Sequence, residues 1–250
     1  DFWRNHFNVS YTKGDSIYSQ ITDYHREVIR NNVWRSFPQM LKASAQHPAM
    51  LNYLDNHLSR RPPNKEELDR IERRTRRKTG SRAEAEEAVS LALQRGLNEN
   101  YARELLELHT LGVDNYYDQG DVIAVANILT GWTIDRGRQG TQEYRFEKEM
   151  HTPGDFRVLG KRFSEDKMDY NGQGIALLEM LADHKGTSEF IAMKLIRYLV
   201  SDYPSEGLVK EVAKTYRKTS GDMKSMVRKV VESDEFYSRA NYRTKFKTPF

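Results

Sequence analysis

The chain has 250 residues, with 40 lysine and arginine against 36 aspartate and glutamate, a net charge of +4, and 11% aromatic residues. It has no cysteine, which excludes disulfides, thiolate catalysis, zinc fingers and cysteine-held clusters while leaving the compartment open. No stretch approaches the roughly eighteen apolar residues of a membrane span, and the aromatic content argues against wholesale disorder.

The basic balance is local. Residues 59–90 hold ten basic and seven acidic side chains, so the rest of the chain is almost neutral. A nucleic-acid interface calls for a stripe of positive charge across a domain, so nucleic acid is not an expected partner. The first residue is Asp1 rather than Met, which predicts a processed protein or a piece of a longer one.

Apolar spacing along the chain is mostly helical. Thr22 is placed to cap a helix over 22–30, and the stretch 34–45 carries Phe37, Met40 and Leu41 at helical intervals. Pro48 suits the first position of a helix over 48–58, with Leu51, Leu54 and Leu58 on one face. The run Arg60-Arg61-Pro62-Pro63 then breaks the pattern.

Two polar helices follow, each opening on capping-box spacing, Asn64 with Glu67 and Ser81 with Glu84. The first offers only Leu68 and Ile71 as apolar anchors, so the stretch 60–96 reads as a charged helical arm projecting from the body. Its run Arg73, Arg74, Arg76, Arg77 and Lys78 is either a solvated helix face or a surface for an acidic polymer or protein.

Helices are expected next over 98–111 and 119–130, the second capped by Asp118 and almost wholly apolar from Val122 to Leu129, hence buried. The stretches 142–151 and 156–163 alternate instead, around the turn Thr152-Pro153-Gly154-Asp155, and read as a β-hairpin or a pair of short strands. Helical spacing returns over 174–183, 188–201, 206–218 and 223–232. The expected fold is mainly α: one irregular multi-helix domain over 1–250, with the arm inserted and one small β-hairpin at about 142–163.

The stretch 98–110 carries the most chemistry. At about 100° per residue, His109 falls in the middle of an apolar arc with Tyr101, Ala102, Leu105 and Leu106. Arg103 and Glu107 pair on the polar side with Glu99 one turn earlier, and Glu104 sits on the border beside Leu108. A buried imidazole needs a hydrogen-bond partner, and burial shifts its pKa. A border carboxyl can be raised towards acid–base usefulness. Two readings stand: an acid–base site of Glu104 and His109 oriented by Arg103 and Glu107, or a core histidine beside an ordinary ion-pair ladder.

His6 lies among aromatics in Phe2-Trp3-Arg4-Asn5-His6-Phe7 and suits a ligand or a packed ring. His47 and His184 sit at helix boundaries, where capping is the default role. There is no HExxH, ExxH or His-x-His, so a metal ion, one candidate cofactor, would need ligands from distant segments. Trp132 either lines a binding pocket or packs in the core, with Asn100 and Asp121 as further candidate binding residues.

Taken together, Phe2–Phe7, His47-Pro48-Ala49-Met50-Leu51, the run from Gly96 to Val113, and Leu129-Thr130-Gly131-Trp132-Thr133 resemble the bacterial family of unknown function DUF1800. Leu159-Gly160, Phe190-Ile191-Ala192, Lys194-Leu195, Gly221-Asp222 and Lys247-Thr248-Pro249 resemble its later half. Arg103, Glu104, Glu107 and His109 match its pattern. Asn127, Phe156 and Lys185 depart from it, standing where arginine, lysine and proline are usual. The resemblance implies a mainly helical fold, a domain continuing beyond both ends of this chain, and export to the periplasm, cell surface or medium. It implies no reaction.

A fainter similarity, Trp3 to His6 with the helix entering Leu108-His109-Thr110-Leu111, resembles the distal-site letters of animal haem peroxidases. The arginine-to-histidine spacing differs from theirs and no proximal histidine motif is present. The functional expectations are therefore an exported enzyme with a buried Glu/His acid–base or metal-assisted site, a non-catalytic module docking through the arm, and a haem oxidoreductase.

Overall fold

A computed structural model describes residues 1–94, 96–135 and 142–245, and in these the chain is mainly helical, with thirteen α-helices and two two-stranded sheets. Helix α1 (Phe2–His6) is followed by α2 (Asp15–Tyr24), which passes directly into a π-helical segment, His25–Ile29. The start expected at Thr22 lies inside this helix. Ile17, Tyr24 and Val28 are all buried, so an apolar face reaching back to Ile17 sets where the helix begins.

Helix α3 (Phe37–Gln46) opens on a Ser36–Gln39 capping box, and the preceding Trp34 is exposed. Helix α4 (Pro48–Tyr53) starts at Pro48 as expected. Asp55, at φ 59°, then ends the winding ahead of a 3-10 turn at Asn56–Leu58. Leu58 therefore leaves the face it was expected to share with Leu51 and Leu54 and is exposed.

The arm consists of α5 (Lys65–Thr79) and α6 (Arg82–Gln94), two helices packed on each other. The Asn64–Glu67 capping box is present, and α5 has no buried residue. At the base, Arg61 makes a two-point contact with Glu67 at 2.9 and 2.7 Å. The chain leaves and re-enters the core at one place: Arg60 N–H donates to the Gly96 carbonyl and Asn98 N–H to Ser59 Oγ. Arg95 and Lys247-Thr248-Pro249 lie outside the described residues.

Helix α7 (Glu99–Glu104) runs on into a second π-helical segment, Leu105–Thr110. Helix α8 (Gln119–Ile128) begins at the Asp118–Asp121 capping box and buries Val122, Val125, Ala126 and Ile128, while Gln119, Gly120 and Ile123 are exposed.

The β structure is two hairpins. Strand β1 (Trp132–Ile134) pairs antiparallel with β2 (Tyr144–Phe146), and β3 (Phe156–Val158) with β4 (Lys161–Phe163). The stretch 142–151 thus takes its partner from the segment after α8, and 156–163 folds back on itself. Its turn residues Leu159 and Gly160, at φ 49° and 77°, match the positive-φ pair that twists a tight hairpin correctly. Asp121 Oδ1 accepts from Leu159 N–H at 2.8 Å, which ties this turn to α8.

The second half continues through α9 (Tyr170–Asp183), α10 (Lys185–Leu199), α11 (Glu206–Lys218), α12 (Met223–Val231) and the short α13 (Asp234–Tyr237). His47 and His184 do cap helices, their Nδ1 atoms accepting from Ala49 and Gly186 N–H at 3.1 and 3.0 Å. The core lies where α1, α3, the second π segment, α8, α9 and α10 meet, around Phe7, Phe37, Leu105, Leu106, Val125, Leu177 and Ile191. No helix among the described residues is long and apolar enough to cross a membrane.

Candidate acid-base site

The second π segment decides how 98–111 presents its side chains. Its backbone bonds run five residues back, as in Leu111 N–H to the Leu106 carbonyl at 2.8 Å, and Thr110 Oγ1 also bonds the Leu105 carbonyl at 2.7 Å. Residues five apart therefore share a side. Leu105 and Thr110 are both fully buried, as are Leu106 and Leu111. His109 stays buried, as the apolar arc predicts, but Leu108 is 44% exposed, because the wider winding turns it away from Tyr101. Glu104 lies one π turn before His109 and is half-buried.

His109 does not stand alone. His6 Nε2 lies 3.1 Å from the His109 carbonyl oxygen, and Lys194 Nζ lies 2.9 Å from His6 Nδ1. The lysine ammonium is the donor at Nδ1, so the one ring hydrogen of neutral His6 sits on Nε2 and is given to the carbonyl. Three segments far apart in sequence, α1, the π segment and α10, meet through this chain of bonds.

Aromatic rings enclose it. His6 meets Phe7 edge-on at 4.5 Å, with Trp3 at 5.6 Å and Phe37 at 5.9 Å, and His109 lies 5.2 Å from Phe7. Lys194 Nζ stands over the Phe190 ring at 5.1 Å. Phe190 in turn closes on Gly112, whose φ of 94° and bare Cα let the ring approach; a Cβ there would lie 3.1 Å from it.

The electrostatics follow from burial. Desolvation, then the charges of Lys194 and His109, hold the His6 imidazole well below its usual value. Burial, then Lys194, takes His109 down to about 3. Burial and the nearby Arg197 lower the Lys194 ammonium to about 8. Lys194 has no carboxylate partner among the described residues. On the neighbouring helix turn, burial and the Glu107 carboxylate push the Glu104 carboxyl upward. Glu104 likewise has no hydrogen-bond or ion partner among the described residues.

The other sequence candidates are placed differently. Arg103 faces α8: it reaches Glu99 at 3.6 Å, Glu107 at 3.4 Å and Gln119 at 3.0 Å. That is a ladder joining α7 to α8, on the side away from the histidines. Asn100 is exposed, its N–H capped by Asn98 Oδ1. Asp121 serves the α8 cap and the Leu159 turn. Trp132 is fully buried against Gly174 and, edge-on at 5.5 Å, Tyr144. Its Nε1, with His151 Nε2, Gln173 Oε1 and Asn56 Oδ1, has no hydrogen-bond partner among the described residues.

The geometry thus unites two of the proposed residues, His6 and His109, and adds Lys194. The family model described as Protein of unknown function (DUF1800) matches residues 1–250. The chain belongs to the DUF1800 family. A search of curated proteins and one of solved structures found no match.

Sequence reasoning missed Lys194 because its partner His6 is 188 residues away. A local signal existed nonetheless. One helical turn either side of Lys194 stand Phe190, Ile191, Arg197 and Tyr198, so a lysine on a half-apolar helix lacks an acidic neighbour and has a basic one. No group of three or more His, Asp or Glu able to hold a metal occurs among the described residues. Both ring nitrogens of His6 are engaged, one as donor and one as acceptor, so it offers no free lone pair to a metal or to haem iron.

Proposed function

We propose that this DUF1800 chain is an exported bacterial enzyme that works by proton transfer at the Lys194–His6–His109 cluster, with Glu104 as a second acid–base group. The observation that carries the reading is the hydrogen-bonded line from Lys194 Nζ through the His6 ring to the His109 carbonyl. Environments that move a carboxyl up and an amine down, towards neutrality, are how one site supplies both an acid and a base near pH 7. Lys194 is the base, half-neutral near pH 8. His6 orients its Nζ, and His109 fixes His6 through the backbone carbonyl. Glu104, raised by burial and Glu107, is the group able to carry a proton as acid. With export, the substrate is an envelope or extracellular molecule.

The test is a product screen of the folded chain on esters, 2-oxo acids and glycans, read by mass spectrometry, with Lys194→Met, His6→Gln and Glu104→Gln run in parallel. An activity lost at least about a hundred-fold in Lys194→Met, with an unchanged circular dichroism spectrum, supports the reading. An activity indifferent to both Lys194→Met and His6→Gln overturns it.

One observation favours a second role, as a docking module. Arg73, Arg74, Arg76, Arg77 and Lys78 are exposed at the end of α5, and none forms an ion pair with a described residue. Charges without partners of their own suit an anionic polymer. Binding to a sulfated polysaccharide column should weaken steeply between low and high salt, since exposed charges are screened within about 10 Å at 0.1 M. It should vanish when 62–94 are replaced by a short linker. Retention that ignores salt argues against this role.

A further inference from the structure

The geometry points to Lys194 as a covalent amine nucleophile, and to a small carbonyl compound bearing a carboxylate as its substrate class. The inference rests on the acid–base reading and names what the same site takes. Four observations carry it. Nζ is held 2.9 Å from an uncharged ring nitrogen, not on a carboxylate. Nζ also stands over the apolar Phe190 ring, at 5.1 Å. The nearest charged neighbour on its helix is Arg197, one turn on. Arg197 is itself exposed and makes no ion pair with a described residue.

An amine in apolar surroundings, beside a second cation, is the environment that activates lysine towards carbonyls. Burial and Arg197 bring its ammonium to about 8, so a useful fraction is neutral at pH 7. In the step itself, the Nζ lone pair forms a bond to the carbonyl carbon and the oxygen takes up the electron pair. Both amine hydrogens then leave with that oxygen as water, and a carbon–nitrogen double bond remains. No oxidant or reductant is consumed. Arg197, whose guanidinium has no ion-pair partner among the described residues, is the group that holds the substrate carboxylate. A bidentate fork is the geometry arginine offers to such an anion.

The test needs no knowledge of the natural substrate. The full chain is incubated at pH 7 with glyoxylate and cyanoborohydride, which traps the imine as a secondary amine, and labelled lysines are mapped by peptide mass spectrometry. Lys194 is expected to label about ten-fold faster than surface lysines such as Lys210 and Lys224. With Arg197→Gln, labelling by glyoxylate should fall several-fold while labelling by propionaldehyde, which lacks a carboxylate, holds steady. Lys194 labelling no faster than Lys210 or Lys224 overturns the covalent role. Equal effects of Arg197→Gln on both aldehydes overturn the carboxylate. An activity that needs Lys194 but shows no trapped adduct would sink this inference and leave the acid–base reading standing.

Discussion

His6 gives its Nε2 hydrogen to the backbone carbonyl of His109 at 3.1 Å, so a ring from the first helix completes the hydrogen bonding of a π segment more than a hundred residues later. The contact is buried on both sides, and removing it strands two groups at once: a carbonyl oxygen and the Lys194 ammonium. A buried polar group left without a partner costs about 1–3 kcal/mol. His6→Phe should therefore destabilise the fold by about 2–4 kcal/mol in urea unfolding, since the replacement ring restores shape but neither bond. A loss below about 0.5 kcal/mol would mean that the contact is not formed in solution.

The histidines also set a pH dependence. Both His6 and His109 are lowered in the folded state, His109 to about 3, against about 6.5 in an unfolded chain. Between those values the unfolded state binds more protons, so stability rises with pH up to about 6.5 and falls as the solution is acidified below it. Each histidine contributes a slope of up to about 1.4 kcal/mol per pH unit in that window. Urea midpoints at pH 4.5, 5.5, 6.5 and 7.5 measure it. His109→Asn should reduce the slope by its own share and leave that of His6, and a wild-type profile already flat from 4.5 to 6.5 would contradict the neutral buried pair.

Two glycines should respond differently to alanine. Gly131 has φ 82°, and a Cβ there would lie 2.6 Å from the Glu147 carbonyl oxygen, which belongs to the backbone and cannot swing away. At Gly112 the obstacle is the Phe190 side chain at 3.1 Å, which can yield. Backbone strain at positive φ adds about 1–3 kcal/mol to either. Gly131→Ala should lower the melting temperature more than Gly112→Ala, and the reverse order would contradict the packing of β2 against the end of α8.

The arm should be separable from folding. With no residue of α5 buried and both ends of the arm meeting at Ser59, Arg60, Gly96 and Asn98, replacing 62–94 by a short flexible linker removes little core. The expected change in unfolding free energy is within about 1 kcal/mol, close to that of ordinary surface changes. A chain that no longer folds cooperatively after this deletion would show that the arm supports the core.

Much of this architecture could be read from local signals. The capping box at Asn64, the cap at Asp118 and the Pro48 start act within one turn, and all are present. Helix α11 has the expected limits because its apolar spacing and Ser205 cap agree. What escaped is non-local or depends on an extra residue in the winding. The strand at Tyr144–Phe146 pairs with Trp132–Ile134, a stretch just past the end of the expected helix that is too short to show strand alternation of its own. The π winding of Leu105–Thr110 changes no residue type, yet it swings Leu108 out and brings Glu104 to the side of His109. Lys194 carries an ordinary surface letter, and only packing against Phe190 and His6 gives it unusual chemistry.

Because the arm departs from and returns to a single edge of the core, its length and charge can drift through evolution without passing strain inward. Relatives built on the same core are free to carry a longer arm, a neutral one or none. Divergence in this stretch would then leave the aromatic chamber around His6 untouched, because none of its rings belongs to the arm.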